Sequence, residues 1–363
     1  MKILYGVVGE GLGHAMRSRV ILDHLVANGH QIEVMASGKA HEFLIKRFAD
    51  VNRISGFHMI LEENRVRLGK TLWSNVISGL TGLPRNIAKY FELIAEFHPD
   101  VVISDFESWA YLFGKTHDLP ILSIDNMQVI HRCEHPEEVI RANRLQFELT
   151  KAFVKSKLPG CDAYFITSFF FPPTRKPHTQ LFAPILREEI LAARPTTGEH
   201  LLVYQSGSNV EELHTALRQA PIPCRIYGDA RAREAGSHGV VDGNLWFRAF
   251  SEATFIEDLA SCRGVVAGGG FTLMGEAVHL HKPMLAVPLG GQYEQWLNAT
   301  YLERLGFGMK AEDFSDNTLV ARFVANVNTY QAALNAYQSQ DNRSLLNAID
   351  DFLRELPRHL RND

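Results

Sequence analysis

Mostly apolar runs of about four to six residues recur along the chain, each followed by a stretch with helical periodicity. Such runs are typical of parallel strands buried on both faces, because crossover helices cover both sides of a parallel sheet. This pattern predicts an α/β fold class, with two doubly wound, Rossmann-like domains whose strand ends face each other across a cleft. The runs form two series, the first at 3–8, 32–36, 101–104, 121–124 and 163–167, and the second at 201–205, 224–227, 264–267 and 284–287.

A segment that breaks regular structure separates the two series. Residues 184–198 contain Pro184, Pro195 and Gly198, and both residue types interrupt helices and strands. The final helical stretch has an apolar face that requires a partner, and we expect it to pack back on the first domain. The predicted divisions are a first, acceptor-binding domain at 1–183, a linker at 184–198, a second, donor-binding domain at 199–342 and a final helix at 343–363.

Composition excludes several classes of protein. The net charge is −4, without the dense Lys/Arg stripe that nucleic-acid-binding proteins carry, so no nucleic-acid partner is expected. The four cysteines lie far apart, which indicates neither a disulfide framework nor a zinc site. The N-terminus leads directly into an apolar run without room for a signal peptide, and no long apolar segment follows. These features predict a cytoplasmic globular protein.

A glycine-rich loop follows the first predicted strand. Residues 9–14 read GEGLGH and lead into a helix, so the backbone can approach a ligand and the helix N-terminus favours anions. A dinucleotide fingerprint is disfavoured, because His14 stands where the third glycine belongs and Glu33 lies inside a strand. Gly11 and Gly13 are predicted to form an acceptor or phosphate loop. His14 is interpreted either as a residue of the helix cap or as a general base.

Asp105 is the candidate partner of a histidine base. It follows the apolar run at 101–104, which places it at the same carboxyl edge of the predicted sheet as His14. A carboxylate bound to the second ring nitrogen fixes the tautomer of a histidine and stabilises the imidazolium. The alternative is that Asp105 caps a helix at 106–115, since aspartate is a preferred N-cap residue.

The second predicted domain carries similar loops at its strand ends. Residues 204–208 end one strand and contain two serine hydroxyls, while residues 268–272 end another and open a helix. Both loops have the composition of a phosphate-binding site. Glu276, inside that helix, is of the kind that accepts hydrogen bonds from ribose, and the polar residues at 292–295 can bind a sugar ring.

These motifs resemble the donor-binding segment of the two-domain, GT-B fold glycosyltransferases. The similar branch contains the UDP-glucosyl and UDP-glucuronosyl transferases and the GlcNAc transferase of peptidoglycan lipid synthesis. The resemblance is carried by FIEDL at 255–259, GGGFTLMGE at 268–276 and EQWLNA at 294–299, in the family's order and near its spacing. It covers about fifty consecutive residues, and the loop at 9–14 extends it towards the N-terminus.

The resemblance implies a role for each matching position. His14 corresponds to the family's catalytic histidine, and Asp105 corresponds to its partner acid. In the donor site, the resemblance implies that the backbone of Ile256 binds a uracil edge and that Glu276 binds the ribose. Glu294 and Gln295 would bind the transferred sugar. The diphosphate would be bound by the loop residues Gly269, Gly270, Phe271 and Thr272, with help from Ser206, Gly207 and Ser208.

Departures from the family pattern affect donor recognition and stereochemistry. Gly268 stands where plant members have a histidine, and Phe250 or Trp246 replaces their uracil-stacking tryptophan. Retaining members of the wider fold often carry two glutamates eight residues apart, but Gly268 and Met284 lie eight residues from Glu276, so inversion is predicted. The chain has no Asp-x-Asp motif, which would bind a divalent metal on the diphosphate. Helix N-termini can neutralise the leaving diphosphate instead. Neither a metal nor a cofactor is therefore predicted.

The resulting hypothesis is an inverting glycosyltransferase that moves a sugar from a nucleotide sugar, with UDP-sugars preferred, to a hydroxyl acceptor. One alternative is a UDP-sugar 2-epimerase of the same fold, which needs several carboxylates for its elimination chemistry. Another is a non-catalytic nucleotide-sugar-binding protein.

Residues 65–89 interleave basic and apolar side chains at near-helical spacing, and this pattern is relevant to the type of acceptor. An ordinary helix packed on its own sheet would show this pattern. A helix that lies on the inner face of an anionic membrane would show it as well. Together with the resemblance to a lipid-acceptor enzyme, the membrane interpretation predicts a lipid-linked or polysaccharide-precursor acceptor.

Overall fold

The chain folds into two compact units, and it returns to the first after completing the second. The first unit comprises 1–60, 67–187 and 341–363, and the second comprises 61–66 and 188–340. The computed structural model describes residues 1–9, 11–54, 61–62, 65–66, 89, 92–93, 95–204, 210–234 and 239–356.

A seven-stranded parallel sheet forms the centre of the first unit. Its strands are β1 (Lys2–Val7), β2 (Gln31–Ala36), β3 (Val51–Arg53), β6 (Val101–Asp105), β7 (Ile121–Asp125), β8 (Ala163–Thr167) and β9 (Thr179–Phe182). The order is β3-β2-β1-β6-β7-β8-β9, and every neighbouring pair is parallel. The helices of this unit up to β9 include α1 (Gly13–Ala27), α2 (Gly38–Leu44), α3 (Ser108–Thr116), α4 (Gln128–Arg132), α5 (Glu137–Ile140) and α6 (Arg144–Lys157).

The second unit is built on another seven-stranded sheet. Its strands are β10 (Leu201–Tyr204), β11 (Cys224–Tyr227), β12 (Val240–Asp242), β13 (Leu245–Phe247), β14 (Gly264–Ala267), β15 (Met284–Ala286) and β16 (Gly308–Lys310). The order is β12-β13-β11-β10-β14-β15-β16, and β12 is the one antiparallel strand of this described sheet. The helices are α7 (Glu188–Ala192), α8 (Val210–Arg218), α9 (Ala230–Glu234), α10 (Glu252–Ser261), α11 (Phe271–His279), α12 (Tyr293–Arg304) and α13 (Leu319–Asn335).

The predicted α/β class is confirmed, since all nine apolar runs form strands of two doubly wound sheets. Each sheet has a switch point, where the strand order reverses and where open α/β sheets bind ligands. In the first sheet it lies between β1 and β6, with Val7 in register with Asp105. In the second it lies between β10 and β14, with Tyr204 in register with Ala267.

The predicted linker at 184–198 is held by hydrogen bonds along its second half. The N–H of Thr196 donates to the carbonyl of Ala260 at 2.9 Å, and the N–H of Gly198 donates to that of Ser261 at 2.8 Å. The division between the units falls after Arg187. The segment from residue 188 onwards therefore belongs to the second unit rather than to a free linker.

The last helix, α14 (Arg343–Glu355), packs in the first unit. Leu345, Ile349 and Leu353 lie in the same apolar core as the strands β1 and β6. Asn342, just before this helix, binds both backbone groups of Leu186, accepting from its N–H at 2.9 Å and donating to its carbonyl at 2.7 Å. The amide side chain thereby joins two of the three segments of chain that form this unit, 67–187 and 341–363.

Two short strands lie between β3 and β6 in sequence. β4 (Leu61–Glu62) and β5 (Arg65–Val66) pair antiparallel, and the predicted amphipathic stretch at 65–89 otherwise lies almost wholly outside the described residues. Among the helices of the described chain, none combines the length and apolar composition needed to cross a membrane.

Candidate active site

His14 lies in the first turn of α1, just beyond the carboxyl end of β1. The loop leading to it passes close to α2, because a Cβ on Gly9 would lie 2.4 Å from the carbonyl oxygen of Ser37. Gly11 has a φ of +77°, which L side chains rarely adopt, and a Cβ there would meet no atom within 4 Å. Gly13 is the first residue of α1. The loop thus places His14 at the sheet edge and leaves open space beside Gly11.

Asp105 is the last residue of β6, and its side chain is buried. The next helix, α3, is capped by Glu107, whose carboxylate accepts two first-turn backbone N–H groups at 2.9 and 2.7 Å. The interpretation of Asp105 as the cap of a helix at 106–115 is therefore wrong.

The structure brings His14 and Asp105 together. Nδ1 of His14 lies 2.8 Å from Oδ1 of Asp105, and the imidazole is 17% exposed whereas the carboxylate is buried. When Nδ1 carries the hydrogen, Nε2 is left with a lone pair that can accept a proton. A partly accessible histidine with a carboxylate on its inner nitrogen has the arrangement of a general base.

Two further residues of α1 bind Asp105. Arg17 donates from Nε to Oδ2 at 3.0 Å and from Nη2 to Oδ1, and Ser18 donates from Oγ to Oδ2 at 3.0 Å. Both side chains are buried. The sequence prediction missed them, although residues three and four positions after His14 share its helix face. That spacing was the signal that could have identified them.

Burial and charge set the ionisation of this cluster. Burial alone would raise the pKa of Asp105, but Arg17 and His14 hold it well below its ordinary range, so the carboxylate is ionised. Burial lowers the pKa of His14, and Arg17 lowers it further, against the opposite effect of Asp105. The partial positive charge at the N-terminus of α1 also disfavours an imidazolium. His14 is therefore neutral at pH 7, as a general base requires.

A second buried carboxyl group ends the neighbouring strand β7. Asp125 accepts hydrogen bonds from Oγ of Ser123 and from the backbone N–H of Gln128, both at 2.8 Å. Burial raises the pKa of Asp125 to about 6 in spite of these bonds, and the charge of Asp105 acts in the same direction as burial. The charge of Asp125 therefore changes close to neutral pH.

The glycine loop of the second unit follows β14 at the switch point. It leads into α11, which has Gly270 as its N-cap and no side-chain cap hydrogen bond. Backbone N–H groups in the first turn of a helix have no acceptor within that helix, so those of Thr272 and Leu273 can serve an anion. A Cβ on Gly270 would meet no atom within 4 Å, so there is open space at this end of α11.

Gln295, predicted to bind the transferred sugar, contacts this loop. Its Oε1 accepts from the N–H groups of Gly269 at 3.2 Å and Leu289 at 3.0 Å, and its Nε2 donates to Oε1 of Gln292. Asn298 donates to the carbonyl of Gly269 at 3.2 Å. Gln295 and Asn298 therefore support the backbone of this loop, and the predicted roles of Gln295 on the sugar and of Gly269 on the diphosphate stay predictions.

Two predicted donor-site glutamates lie in the helices that follow β14 and β15. Glu276 is buried in α11, one turn beyond Thr272, and Glu294 is a partly exposed residue in the first turn of α12. Phe271, at the start of α11, is buried, so its backbone rather than its ring is suited to a polar ligand. The roles of these residues on ribose, sugar and diphosphate stay predictions.

Ile256 lies in the second turn of α10 and is buried. The N–H of Phe255 donates to the carbonyl of Ser251 at 2.9 Å, which starts the regular helical hydrogen bonds. The N–H of Ile256 therefore falls where an α-helix pairs it with the carbonyl four residues earlier. The predicted contact of the Ile256 backbone with a uracil edge stays a prediction.

Phe250 and Trp246 differ in their surroundings. Trp246 lies within β13, with the guanidinium of Arg248 above its ring at 4.4 Å. Phe250 is 49% exposed and contacts the rings of Tyr227 and Phe255 at centroid distances of 6.4 and 5.6 Å. Of these two aromatic residues, Phe250 therefore has the more accessible ring for stacking on a base.

The remaining donor-site prediction lies outside the described residues, since Ser206, Gly207 and Ser208 fall in the gap at 205–209. Within the described part of the chain, no group of three His, Cys, Asp or Glu side chains is arranged to hold a metal ion. The predicted independence of a metal stays a prediction.

Comparison with known proteins identifies the chain as a glycosyltransferase. It belongs to glycosyl transferase family 1, whose family model matches residues 1–328. An uncharacterized glycosyltransferase of Methanosarcina acetivorans is 27% identical over 333 residues, and one of Methanosarcina mazei is 25% identical over 344 residues. Each alignment covers 85% of this chain and 85% of the relative. The glycosyltransferase class predicted from the sequence is confirmed.

Solved structures with this fold include several glycosyltransferases. The spinosyn rhamnosyltransferase SpnG has a TM-score of 0.67 and 17% identity, covering 97% of this chain and 100% of its own. UGT2 of Phytolacca americana, complexed with UDP-2fluoro-glucose and pterostilbene, has a TM-score of 0.66 and 12% identity, covering 97% and 99%. The predicted GT-B fold is thereby confirmed.

Proposed function

We propose that the protein is an inverting, nucleotide-sugar-dependent hexosyltransferase with His14 as its general base. The observation that carries this proposal is the 2.8 Å contact of His14 Nδ1 with the buried carboxylate of Asp105. Nε2 of His14 would remove the proton of an acceptor hydroxyl while the oxygen bonds to the anomeric carbon. The bond from that carbon to the diphosphate oxygen breaks, and attack opposite the leaving group inverts the configuration.

The second unit would bind the donor. The first-turn N–H groups and positive end of α11 suit the leaving diphosphate, which develops negative charge as the bond breaks. Glu276 would accept hydrogen bonds from ribose, Glu294 would bind the transferred sugar, and Phe250 would stack on the base. A UDP-sugar is proposed from the sequence resemblance, and structures of this fold include complexes with UDP-2fluoro-glucose and with thymidine diphosphate.

A transfer assay tests the proposal directly. The protein is incubated with UDP-glucose, UDP-GlcNAc or dTDP-sugars, with and without a panel of hydroxyl acceptors, and the products are examined by NMR. We expect acceptor-dependent release of nucleoside diphosphate and a glycoside of inverted anomeric configuration. A sugar epimer formed without acceptor would indicate the 2-epimerase, and binding without turnover would indicate a nucleotide-sugar-binding protein.

We further propose that transfer needs no divalent metal, because the N-terminus of α11 can stabilise the leaving group. Activity should persist in excess EDTA. Complete inactivation that added Mg²⁺ or Mn²⁺ reverses would contradict this part of the proposal.

For the acceptor, we propose a lipid-linked hydroxyl compound taken from an anionic membrane surface at the inner face. Leu145, Leu149 and Phe153 follow one another at four-residue spacing on α6 and are 77%, 50% and 38% exposed. The same helix carries four basic residues and one acidic residue. An exposed apolar stripe with basic flanks suits the surface of an anionic bilayer.

Co-sedimentation with vesicles tests the membrane contact. Wild type should sediment with vesicles that contain phosphatidylglycerol at low salt, and Leu145→Asp/Leu149→Asp should remain in the supernatant. Val26→Asp is the control, since Val26 is 51% exposed on α1. If the wild type does not sediment, or if both variants lose binding equally, a soluble acceptor becomes the better hypothesis.

A further inference from the structure

Arg17 contacts both members of the His14–Asp105 pair. Its Nη2 lies 2.6 Å from Nδ1 of His14 and also donates to Oδ1 of Asp105, while its Nε donates to Oδ2 at 3.0 Å. Nδ1 of His14 therefore has two neighbours of opposite kind: a guanidinium that only donates and a carboxylate that only accepts.

These two neighbours favour different tautomers of His14. A hydrogen on Nδ1 bonds to Asp105 and leaves Nε2 able to take a proton. A hydrogen on Nε2 lets Nδ1 accept from Arg17 but leaves Nε2 unable to act as a base. The competition between Arg17 and Asp105 for Nδ1 therefore determines how much of the base is in its active form.

Charged groups from three elements act on His14. Arg17 comes from α1 itself, Asp105 from β6 and Lys157 from the end of α6. The two cations oppose a positive charge on the ring, and Asp105 favours it. Arg17 is buried, so water and salt screen its charge only weakly.

We propose that Arg17 is a positioning residue that sets the basicity of His14. Its two donors hold Asp105 ionised in one orientation, and its charge opposes the imidazolium, so that His14 is unprotonated before transfer and releases its proton afterwards. This role rests on the proposed function of His14 as the base. It would keep the enzyme active at a lower pH than a His-Asp pair alone.

The geometry makes arginine specific for this role. A planar guanidinium offers parallel donors to a carboxylate, whereas an ammonium group offers a point charge on a flexible chain. Arg17→Lys therefore separates the effect of charge from the effect of orientation, and Arg17→Gln removes both the charge and most of the donors.

NMR titration of ¹³C- and ¹⁵N-labelled histidines provides the test, with His14→Gln used to assign the His14 signal. In Arg17→Gln, the pKa of His14 should rise by about one to three units, because a like charge a few ångströms away is removed. The acid limb of kcat/KM should move to higher pH by the same amount. Arg19→Gln is the matched control, since Arg19 lies on the same helix and its guanidinium is above the ring of Phe43 at 5.6 Å.

In Arg17→Lys, the pKa of His14 should stay near the wild-type value, while the ¹⁵N shifts should report a changed tautomer ratio. An unchanged pKa in folded Arg17→Gln, or an equal shift in Arg19→Gln, would overturn the proposal. If Arg17→Gln does not fold, a wild-type tautomer ratio of His14 in Arg17→Lys would overturn it. A shifted pKa of His14 in Arg17→Gln, together with full turnover in His14→Ala, would instead refute His14 as the base. The effect of Arg17 on the pKa of His14 would still stand.

Discussion

Gln295 links two loops of the second unit by accepting from the backbone N–H of Gly269 at 3.2 Å. Its Oε1 also accepts the N–H of Leu289 at 3.0 Å. Gly269 follows β14 and Leu289 follows β15, so one amide oxygen joins the loops beyond two neighbouring strands. The Gly269 loop leads into α11, the helix proposed to bind the diphosphate.

Gln295→Ala should weaken both the fold and the donor site. Two N–H groups would lose their acceptor, and we expect the free energy of unfolding to fall by about 1 to 3 kcal/mol. The affinity for UDP, measured by calorimetry, should fall as well because the loop is no longer held. Gln295→Glu keeps the acceptor oxygens and serves as the control. Loss of UDP-sugar binding with unchanged stability and unchanged UDP affinity would instead show a direct sugar contact.

His14→Ala should lower turnover by roughly 10²- to 10⁴-fold, the usual contribution of a general base. The affinity for the donor should stay near the wild-type value, because His14 belongs to the first unit and the donor is assigned to the second. Steady-state rates and donor titrations on the same preparation check both expectations. An equal loss of turnover and donor affinity would contradict the assignment of His14 as the base.

Glu276→Gln should weaken the binding of UDP by roughly 1 to 3 kcal/mol, because a charged hydrogen bond to ribose is replaced by a neutral one. Titration calorimetry with UDP measures this change. Glu257→Gln, at an exposed position on α10, removes the same charge elsewhere in the unit and should have little effect. Unchanged UDP affinity in Glu276→Gln would move ribose recognition to another residue.

Asp125→Asn should change how stability depends on pH. The folded pKa of Asp125 is about 6, above the ordinary value of 3.8. The unfolded state therefore ionises first, so this group's contribution to stability is fully present below about pH 4 and is lost as pH rises to about 6. Asparagine has no such dependence.

The variant should consequently gain stability relative to the wild type between about pH 4 and 7, by about 1 to 3 kcal/mol, and the difference should be constant above that range. Urea denaturation of both proteins at several pH values measures the difference. A difference that does not vary with pH would mean that Asp125 titrates in the folded state as it does in the unfolded state.

The sequence predicted the central strands better than the edges. Most of the described residues in the nine apolar runs are buried, and burial on both faces of a parallel sheet selects near-continuous Val, Ile and Leu. The strands that were missed, such as β3 and β12, have three residues each and lie at sheet edges, where one side has no neighbouring strand. So few residues with mixed polarity carry little periodic signal.

The sequence predicted those residues of the candidate site whose position is fixed by the order of the strands. His14 follows β1 and Asp105 ends the neighbouring strand β6, so the carboxyl edge of a parallel sheet brings them together. The hydrogen bonds of Gln295 join residues 26 and 6 positions away and depend on side-chain packing, which no spacing rule describes.

The packing of α14 in the first unit affects the order in which the protein folds during synthesis. Leu345, Ile349 and Leu353 complete an apolar core whose other members, such as Ile3 and Val101, leave the ribosome much earlier. The first unit therefore begins to form first but is completed last, after the whole of the second has been translated. A premature stop before residue 343 would leave the N-terminal core incomplete and exposed to chaperones and proteases, although every residue up to that point is correct.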